Sequence, residues 1–338
     1  MINVALLSKW HVHAVDYAKE AQENPDITIE LLWDEDAERG AHWAEELHVP
    51  FEKDLDAVLS NPSIDAVIVS TPTNLHKEII IAAAKHGKHI FTEKVLAFTS
   101  KDCQDILDEV NKAGVEFMIS LPRLTADYYL YAQQALDQGL LGNLTMLRCR
   151  VAHNGAVPTK ENQDGWLPDR FFDEEACGGG SLIDLGAHPI YLANRLAEGN
   201  PVTVTGALKS LMNRGVDDYS AALIEYDSGA IATLETSFVS TGSPFQLELY
   251  GTEGTLLVED RQIRVKSTHL AEENWVTPDQ IPEADPMPME QWVSSIMDGK
   301  QANIYQKDAI LLTLINEAAA LSHKEDRKVK LIENQIKK

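Results

Sequence analysis

The first 121 residues alternate two hydrophobic patterns. Short apolar runs at 2–7, 27–33, 65–71, 89–94 and 116–121 read as strands buried on both faces, two of them closed by Pro72 and Pro122. Between them, the stretches 13–24, 36–47, 74–86 and 101–113 repeat their apolar residues at helical spacing. Such an alternation predicts βαβ units and a doubly wound parallel sheet, hence an α/β fold class. Ligands of these sheets bind past the carboxyl ends of the strands. Here those ends carry Ser8, Asp34, Thr71-Pro72, Glu93-Lys94 and Pro122-Arg123.

Beyond residue 122 the pattern changes. A helix is predicted over 125–138, then a turn at Gly139 to Gly142 and a strand over 144–152, whereas 153–177 has no clear period. Gly178-Gly179-Gly180 then hands over to a helical run starting near Ser181, in which Pro189 predicts a kink near Leu185. Strands follow at 202–211, 219–227, 229–238, 244–250 and 254–259, with Asp227-Ser-Gly229 as a hairpin turn, and helices at 288–298 and 305–322. With 338 residues the chain is too long for one core. The change of pattern divides it into a nucleotide-type domain at 1–122 and a second domain at 123–338, the last helices packing back on the first.

Composition narrows the function classes. A net charge of −24 argues against nucleic-acid binding, which relies on clustered Lys and Arg, and against anionic membranes. Three widely spaced cysteines, Cys103, Cys149 and Cys177, form no Cys-x-x-Cys pair and fit a reducing compartment without a disulfide framework. With no leader-like start and no apolar run of membrane-spanning length, the expectation is a soluble cytoplasmic protein.

Three places carry candidate chemistry. Asp34 closes the second strand, where a carboxylate can accept from ribose hydroxyls, although it also fits a helix cap. Glu35-Asp36 follow without a nearby Arg or Lys to receive a 2′-phosphate, which favours NAD over NADP. The first loop, Ser8-Lys9-Trp10-His11-Val12-His13, holds no glycine where a dinucleotide turn normally reads Gly-x-Gly-x-x-Gly. A hydroxyl at Ser8 and a charge at Lys9 can stand in, but Trp10 puts bulk in the loop, so the pyrophosphate would sit farther out, bind weakly or no longer bind. His11 and His13 alone make a poor metal site, and no metal is expected. The third place is Asp184 and His188, four residues apart and so one turn from each other on a continuous helix. A carboxylate beside an imidazole can set its tautomer and raise its basicity for general-base work; a capping pair with a core histidine fits the same spacing.

Val69-Ser-Thr-Pro72 with His76, Gly87-Lys-His-Ile-Phe-Thr-Glu93-Lys94, and the Gly178 to His188 stretch, in this order, resemble three segments of the glucose–fructose oxidoreductase, inositol dehydrogenase and MocA (Gfo/Idh/MocA) family. The resemblance spans nearly the whole chain. It implies an N-terminal Rossmann domain, a C-terminal α+β domain on an open, largely antiparallel sheet, and NAD(P)-dependent oxidation or reduction of a secondary alcohol in a sugar, cyclitol or related polyhydroxy compound. Position by position, Lys94 matches the family's active-site lysine, Asp184 its aspartate and His188 its acid/base. The cofactor would be met by Ser8, Trp10, His11, Asp34, Thr71, Pro72, His76, Glu93 and Lys94. The substrate would be met by Lys94, Arg123, Asp184 and His188, and by Trp166 if the 153–177 loop walls a sugar site; a packed surface loop fits that stretch equally. The sheet face commonly forms the family's oligomer interface, which implies a homodimer or homotetramer. Val95 departs from the family, which usually has proline there with a cis bond to the lysine. Val95 and the glycine-free loop keep open a non-catalytic sensor that retains the two-domain cleft, and a lyase or glycosidase using NAD transiently is a further alternative.

Overall fold

The computed structural model describes residues 1–160 and 162–331, and the amino-terminal apolar runs form its first sheet. In order come β1 (Ile2–Leu7), α1 (Ala14–Glu23), β2 (Ile27–Trp33), α2 (Ala37–Leu47), α3 (Leu55–Ser60), β3 (Ala66–Val69), α4 (Thr73–Lys85), β4 (His89–Thr92), α5 (Ser100–Ala113) and β5 (Phe117–Ile119). The strands line up as β2-β1-β3-β4-β5, every neighbouring pair parallel. All four residues of β3 are buried, as a strand covered on both faces requires. Asp36, Asp54 and Thr99 cap α2, α3 and α5 through their side chains, each cap contributing about 1 kcal/mol. The six-residue α3 was not expected; it is too short to show a helical period. Because β2 and β3 flank β1 on opposite sides, the winding reverses there, and the loops after β1 and β3 lie at the switch point.

After a 3₁₀ turn at Pro122–Thr125, α6 (Asp127–Asp137), β6 (Leu144–Ala152), α7 (Glu174–Cys177), α8 (Ser181–Asp184), α9 (Ala187–Leu196), β7 (Pro201–Lys209), β8 (Tyr219–Tyr226), β9 (Ile231–Ser237), β10 (Gln246–Gly251), β11 (Gly254–Glu259) and β12 (Gln262–Ser267) follow. The chain ends its described part with α10 (Pro288–Asp298), α11 (Gln306–Glu325) and β13 (Val329–Lys330). The second sheet has the order β12-β11-β10-β6-β9-β8-β7-β13 and is antiparallel except for β6 with β9. It extends past the expected strands at both edges. β12 joins β11 through the two-residue turn Asp260-Arg261, and β13 is only two residues long.

Two compact units result, Met1–Pro122 with Pro286–Ile310, and Arg123–Asp285 with the chain from Leu311 onward. In the first, α10 returns to the parallel sheet and buries Trp292 completely, its ring 5.7 Å from that of Phe91. In the second, β8 alternates inward Ser220, Ala222, Ile224 and Tyr226 with outward residues, the period-2 signature of a sheet covered on one face. α11 covers that face closely: a Cβ at Gly206 would lie 2.3 Å from the Ala319 carbonyl oxygen. On the other face Arg148 and Arg150 share Glu235, and Tyr219, Leu223 and Met146 are exposed. Among the described residues no helix is long and apolar enough to cross a membrane.

Candidate active site

In the first unit, the loop after β1 bends through a left-handed residue without glycine. Ser8 takes a φ of 77°, the left-handed conformation that glycine supplies more cheaply, and its Oγ accepts from the Trp10 N–H at 3.0 Å. His11 N–H donates to the Ser70 carbonyl at 3.0 Å, tying this loop to the end of β3 across the switch point. Trp10 is turned into the protein and only 8% exposed, so its bulk does not fill the loop's outer side.

Asp34 lies at the end of β2 as expected, but its carboxylate is fully engaged. Oδ2 accepts from Lys9 N–H at 2.8 Å and Arg39 Nε at 3.0 Å; Oδ1 accepts from Asp36 N–H at 2.8 Å and Arg39 Nη2 at 2.5 Å. These use all of a carboxylate's roughly four acceptor positions. The expectation that no Arg or Lys lies near is therefore corrected. Arg39 sits five residues on in the first turn of α2, where the helix brings its fork back onto Asp34, and it also reaches Glu35 at 2.5 Å. Lys9 is held by Glu46 at 2.7 Å.

The ends of β3 and β4 form a second knot. His76 is fully buried, with Nδ1 3.0 Å from the Val95 carbonyl and Nε2 3.2 Å from that of Thr71, so it bridges the two strand ends. Burial holds its basicity below the ordinary imidazole value. The Lys94-Val95 peptide is cis, and Lys94 is buried at 6% exposure. Thr71 Oγ1, beside Pro72 at the head of α4, is buried without a hydrogen-bond partner. Glu93 is buried as well. Its Oε2 accepts from the Tyr17 hydroxyl and faces His13 Nδ1 at 3.4 Å and His11 Nδ1 at 3.7 Å, while Oε1 has no partner. Burial opposes its ionisation, yet His11, His13 and Lys94 outweigh that and hold the carboxyl well below the usual range. Folding thus adds a third ligand-type residue to the two histidines counted in the sequence.

In the second unit, the glycine run packs where side chains cannot. A Cβ at Gly180 would lie 1.8 Å from the Asp217 carbonyl oxygen. The Asp217 carboxylate accepts from Gly180 N–H, Leu182 N–H, Ser181 Oγ and Ser220 Oγ at 2.6–3.0 Å, and so caps α8. The helix breaks at Leu185-Gly186, as the missing N–H of Pro189 predicts, and His188 N–H takes the Leu185 carbonyl at 3.1 Å instead. Asp184 ends α8 and His188 is the second residue of α9, so the expected kink near Leu185 is a full break, and the helical face expected to carry both residues is divided between two helices. His188 Nδ1 is 2.8 Å from the Tyr191 hydroxyl, and that oxygen accepts from Arg123 N–H at 3.3 Å. Tyr191 is completely buried, and burial pushes its phenol far up, so it stays protonated. Arg123 donates to the Tyr128 hydroxyl at 3.1 Å and lies over the Phe245 ring at 4.5 Å. Trp166 is 56% exposed, with its ring 4.6 Å from that of His153, which stacks on Phe238 at 5.2 Å. Asp184 acts electrostatically on His153, partly offsetting the burial that lowers its basicity.

Tyr191, Tyr128, His153, Arg39 and Asp217 were not among the expected site residues. Only Tyr191 had a usable signal, its helical i, i+3 spacing from His188. The others arrive through contacts between distant segments or a fork whose partner the sequence does not name.

A five-stranded parallel nucleotide-type unit joined to a unit on a mixed, mostly antiparallel sheet defines a two-domain α/β class, the fold expected. The chain belongs to the Gfo/Idh/MocA family: the family model described as "Oxidoreductase family, NAD-binding Rossmann fold" matches residues 11–121, and that of the GFO/IDH/MocA C-terminal domain matches residues 129–257. Over 229 residues it is 32% identical to the 2,7-anhydro-N-acetylneuraminate hydratase of Escherichia coli (strain K12), covering 66% of this chain and 59% of that protein. Over 222 residues it is 30% identical to the scyllo-inositol 2-dehydrogenase (NAD(+)) of Bacillus subtilis (strain 168), covering 64% and 59%. The match thus spans about three fifths of these relatives' length. The structure of a levoglucosan dehydrogenase in complex with NADH and L-sorbose shares the fold, with a TM-score of 0.83 at 21% identity, covering 98% of this chain and 99% of that one. The strand ends fit a nicotinamide dinucleotide on two counts: Ser8 supplies the left-handed bend, and the orphaned Thr71 Oγ1 is a buried polar atom that a ligand can satisfy.

Proposed function

We propose that the chain is an NAD-dependent oxidoreductase that oxidises or reduces a secondary alcohol of a sugar, cyclitol or related polyhydroxy compound. The observation that carries this reading is the His188 imidazole held at Nδ1 by the Tyr191 hydroxyl. A phenol can donate to Nδ1 or accept from it, so the same contact supports His188 with or without a proton at Nε2. His188 would take the alcohol proton at Nε2 in oxidation and return it in reduction, and Lys94 would stabilise negative charge developing on the substrate oxygen. Bound NAD supplies the hydride acceptor. Arg123 and Trp166 are proposed to bind the polyol, and Asp184 to act electrostatically on the imidazoles.

Charge favours NAD over NADP even with Arg39 in place. Arg39 and Lys9 are matched against Asp34, Glu35 and Glu46, which leaves a 2′-phosphate facing a net negative cluster. Asp34 would receive the ribose only as Arg39 shifts toward Glu35. The exposed apolar residues beside the Arg148–Glu235–Arg150 network favour pairing of that sheet face with a second copy.

The test is NADH formation across a panel of inositols, aldoses and anhydrosugars, with wild-type protein and His188→Ala. Accumulating NADH that the variant abolishes supports the reading; substrate consumption without net NADH would replace it with a hydratase-type reaction, which the 32% identical relative favours. No consumption of any panel member would leave the sensor reading.

A further inference from the structure

The strongest cluster outside the acid–base set is in the first unit, where the loop after β1 meets the end of β4. His11 and His13 flank Val12 just before α1, and Glu93 comes from eighty positions beyond His13. One ligand-type atom from each lies within 4.8 Å of the other two. The separations, 3.4 Å from His13 Nδ1 and 3.7 Å from His11 Nδ1 to Glu93 Oε2, are close to an edge of about 3.3–3.4 Å in a tetrahedron with metal–ligand bonds of about 2.0–2.1 Å.

Two further observations point to a ligand. Glu93 is 1% exposed, and its Oε1 has no hydrogen-bond partner, a buried acceptor that calls for a cation or a donor. The Tyr17 hydroxyl donates to Oε2 and so fixes the carboxylate's orientation, as outer-shell partners of metal-bound carboxylates do. His11 Nδ1 accepts from the His13 N–H at 3.2 Å, a contact that a metal bound at this nitrogen would displace. His13 sits at the N-cap position of α1 without capping it, and its side chain is 41% exposed, which gives an ion a way in from solvent.

We propose that His11, His13 and Glu93 bind a divalent transition metal of the Zn²⁺ class, with a fourth position open toward solvent on the His13 side. Two imidazoles and one carboxylate suit Zn²⁺ or Co²⁺ better than the all-oxygen preference of Mg²⁺ or Ca²⁺. The alternative is a plain ion pair, in which protonated histidines neutralise Glu93 and no metal is retained. The proposal does not depend on the oxidoreductase reading, because neither cofactor nor turnover enters its test.

Tag-free full-length protein, stripped with chelator and titrated with Zn²⁺, is expected to retain about one equivalent through gel filtration. Co²⁺ in its place should show the visible d–d absorption of a low-coordinate site. His13→Ala, at a half-exposed position that tolerates the change, should weaken binding by at least about 100-fold. His42→Ala, a surface histidine beside Glu46, should leave it unchanged. Retention below about a tenth of an equivalent, or equal affinity in His13→Ala, overturns the proposal in favour of the ion pair.

Discussion

The second unit holds its proposed base by a partner three residues away, whereas the first holds Glu93 by Tyr17 and His13, 76 and 80 positions distant, and Asp34 by Lys9, 25 positions distant, as well as by the nearby Asp36 and Arg39. A short-range contact on one helix follows from spacing and survives almost any rearrangement elsewhere. A long-range knot depends on the sheet placing two strand ends side by side, so its members can change role without any local change. The proposed acid–base group is thus held within α9, while the residues proposed to select the cofactor at the ends of β1, β2 and β4 are held largely by contacts between segments.

The sharpest way to break that division is His188→Ala. Turnover should fall by at least about 10²- to 10⁴-fold, while NADH affinity stays within about twofold. Loss of affinity as well would mean that the two sets of residues are not separable. Gly180→Ala should come next, because its Cβ would meet the Asp217 carbonyl oxygen at 1.8 Å; a loss of about 3 kcal/mol in denaturant unfolding is expected. In the first unit, Arg39→Ala leaves the buried Asp34 carboxylate without its fork and should cost about 2 kcal/mol by the same measurement. If it costs nothing, Arg39 is not what holds Asp34.

Smaller changes sharpen the account of His188. Tyr191→Phe removes one buried hydroxyl contact and should lower kcat by about tenfold, with a shifted pH profile and unchanged NADH affinity. A drop in stability with an unshifted profile would make Tyr191 structural only. Smallest is the titration of His153, readable by NMR. Burial disfavours its charged form, so its midpoint should lie below the ordinary imidazole value of about 6.5, and Asp184→Asn, by removing the offsetting charge, should lower it further.

The same contrast explains what could be read from the chain. The βαβ alternation, the six expected strands of the second sheet and the break before Pro189 are local patterns; the α/β class of the first domain followed from them, and the antiparallel second sheet from the family resemblance. Lys94, Asp184, His188 and the strand-end residues were named from short segments. Arg39 escaped because the sequence shows a residue five places beyond Asp34 but not that α2 turns its fork inward. The His11–His13–Glu93 cluster escaped because β4 lies two strands from β1 in the sheet, a neighbourhood that no spacing reports. Likewise, α3 and β13 were too short to carry a period.

The central claim is that the glycine-free loop still serves a nicotinamide dinucleotide, and titration of the purified protein with NADH and with NADPH, followed by nicotinamide fluorescence, tests it most directly. Saturable NADH binding in the micromolar range, with NADPH weaker by at least about tenfold, is the predicted result. Failure of both to bind below millimolar concentration would contradict the account.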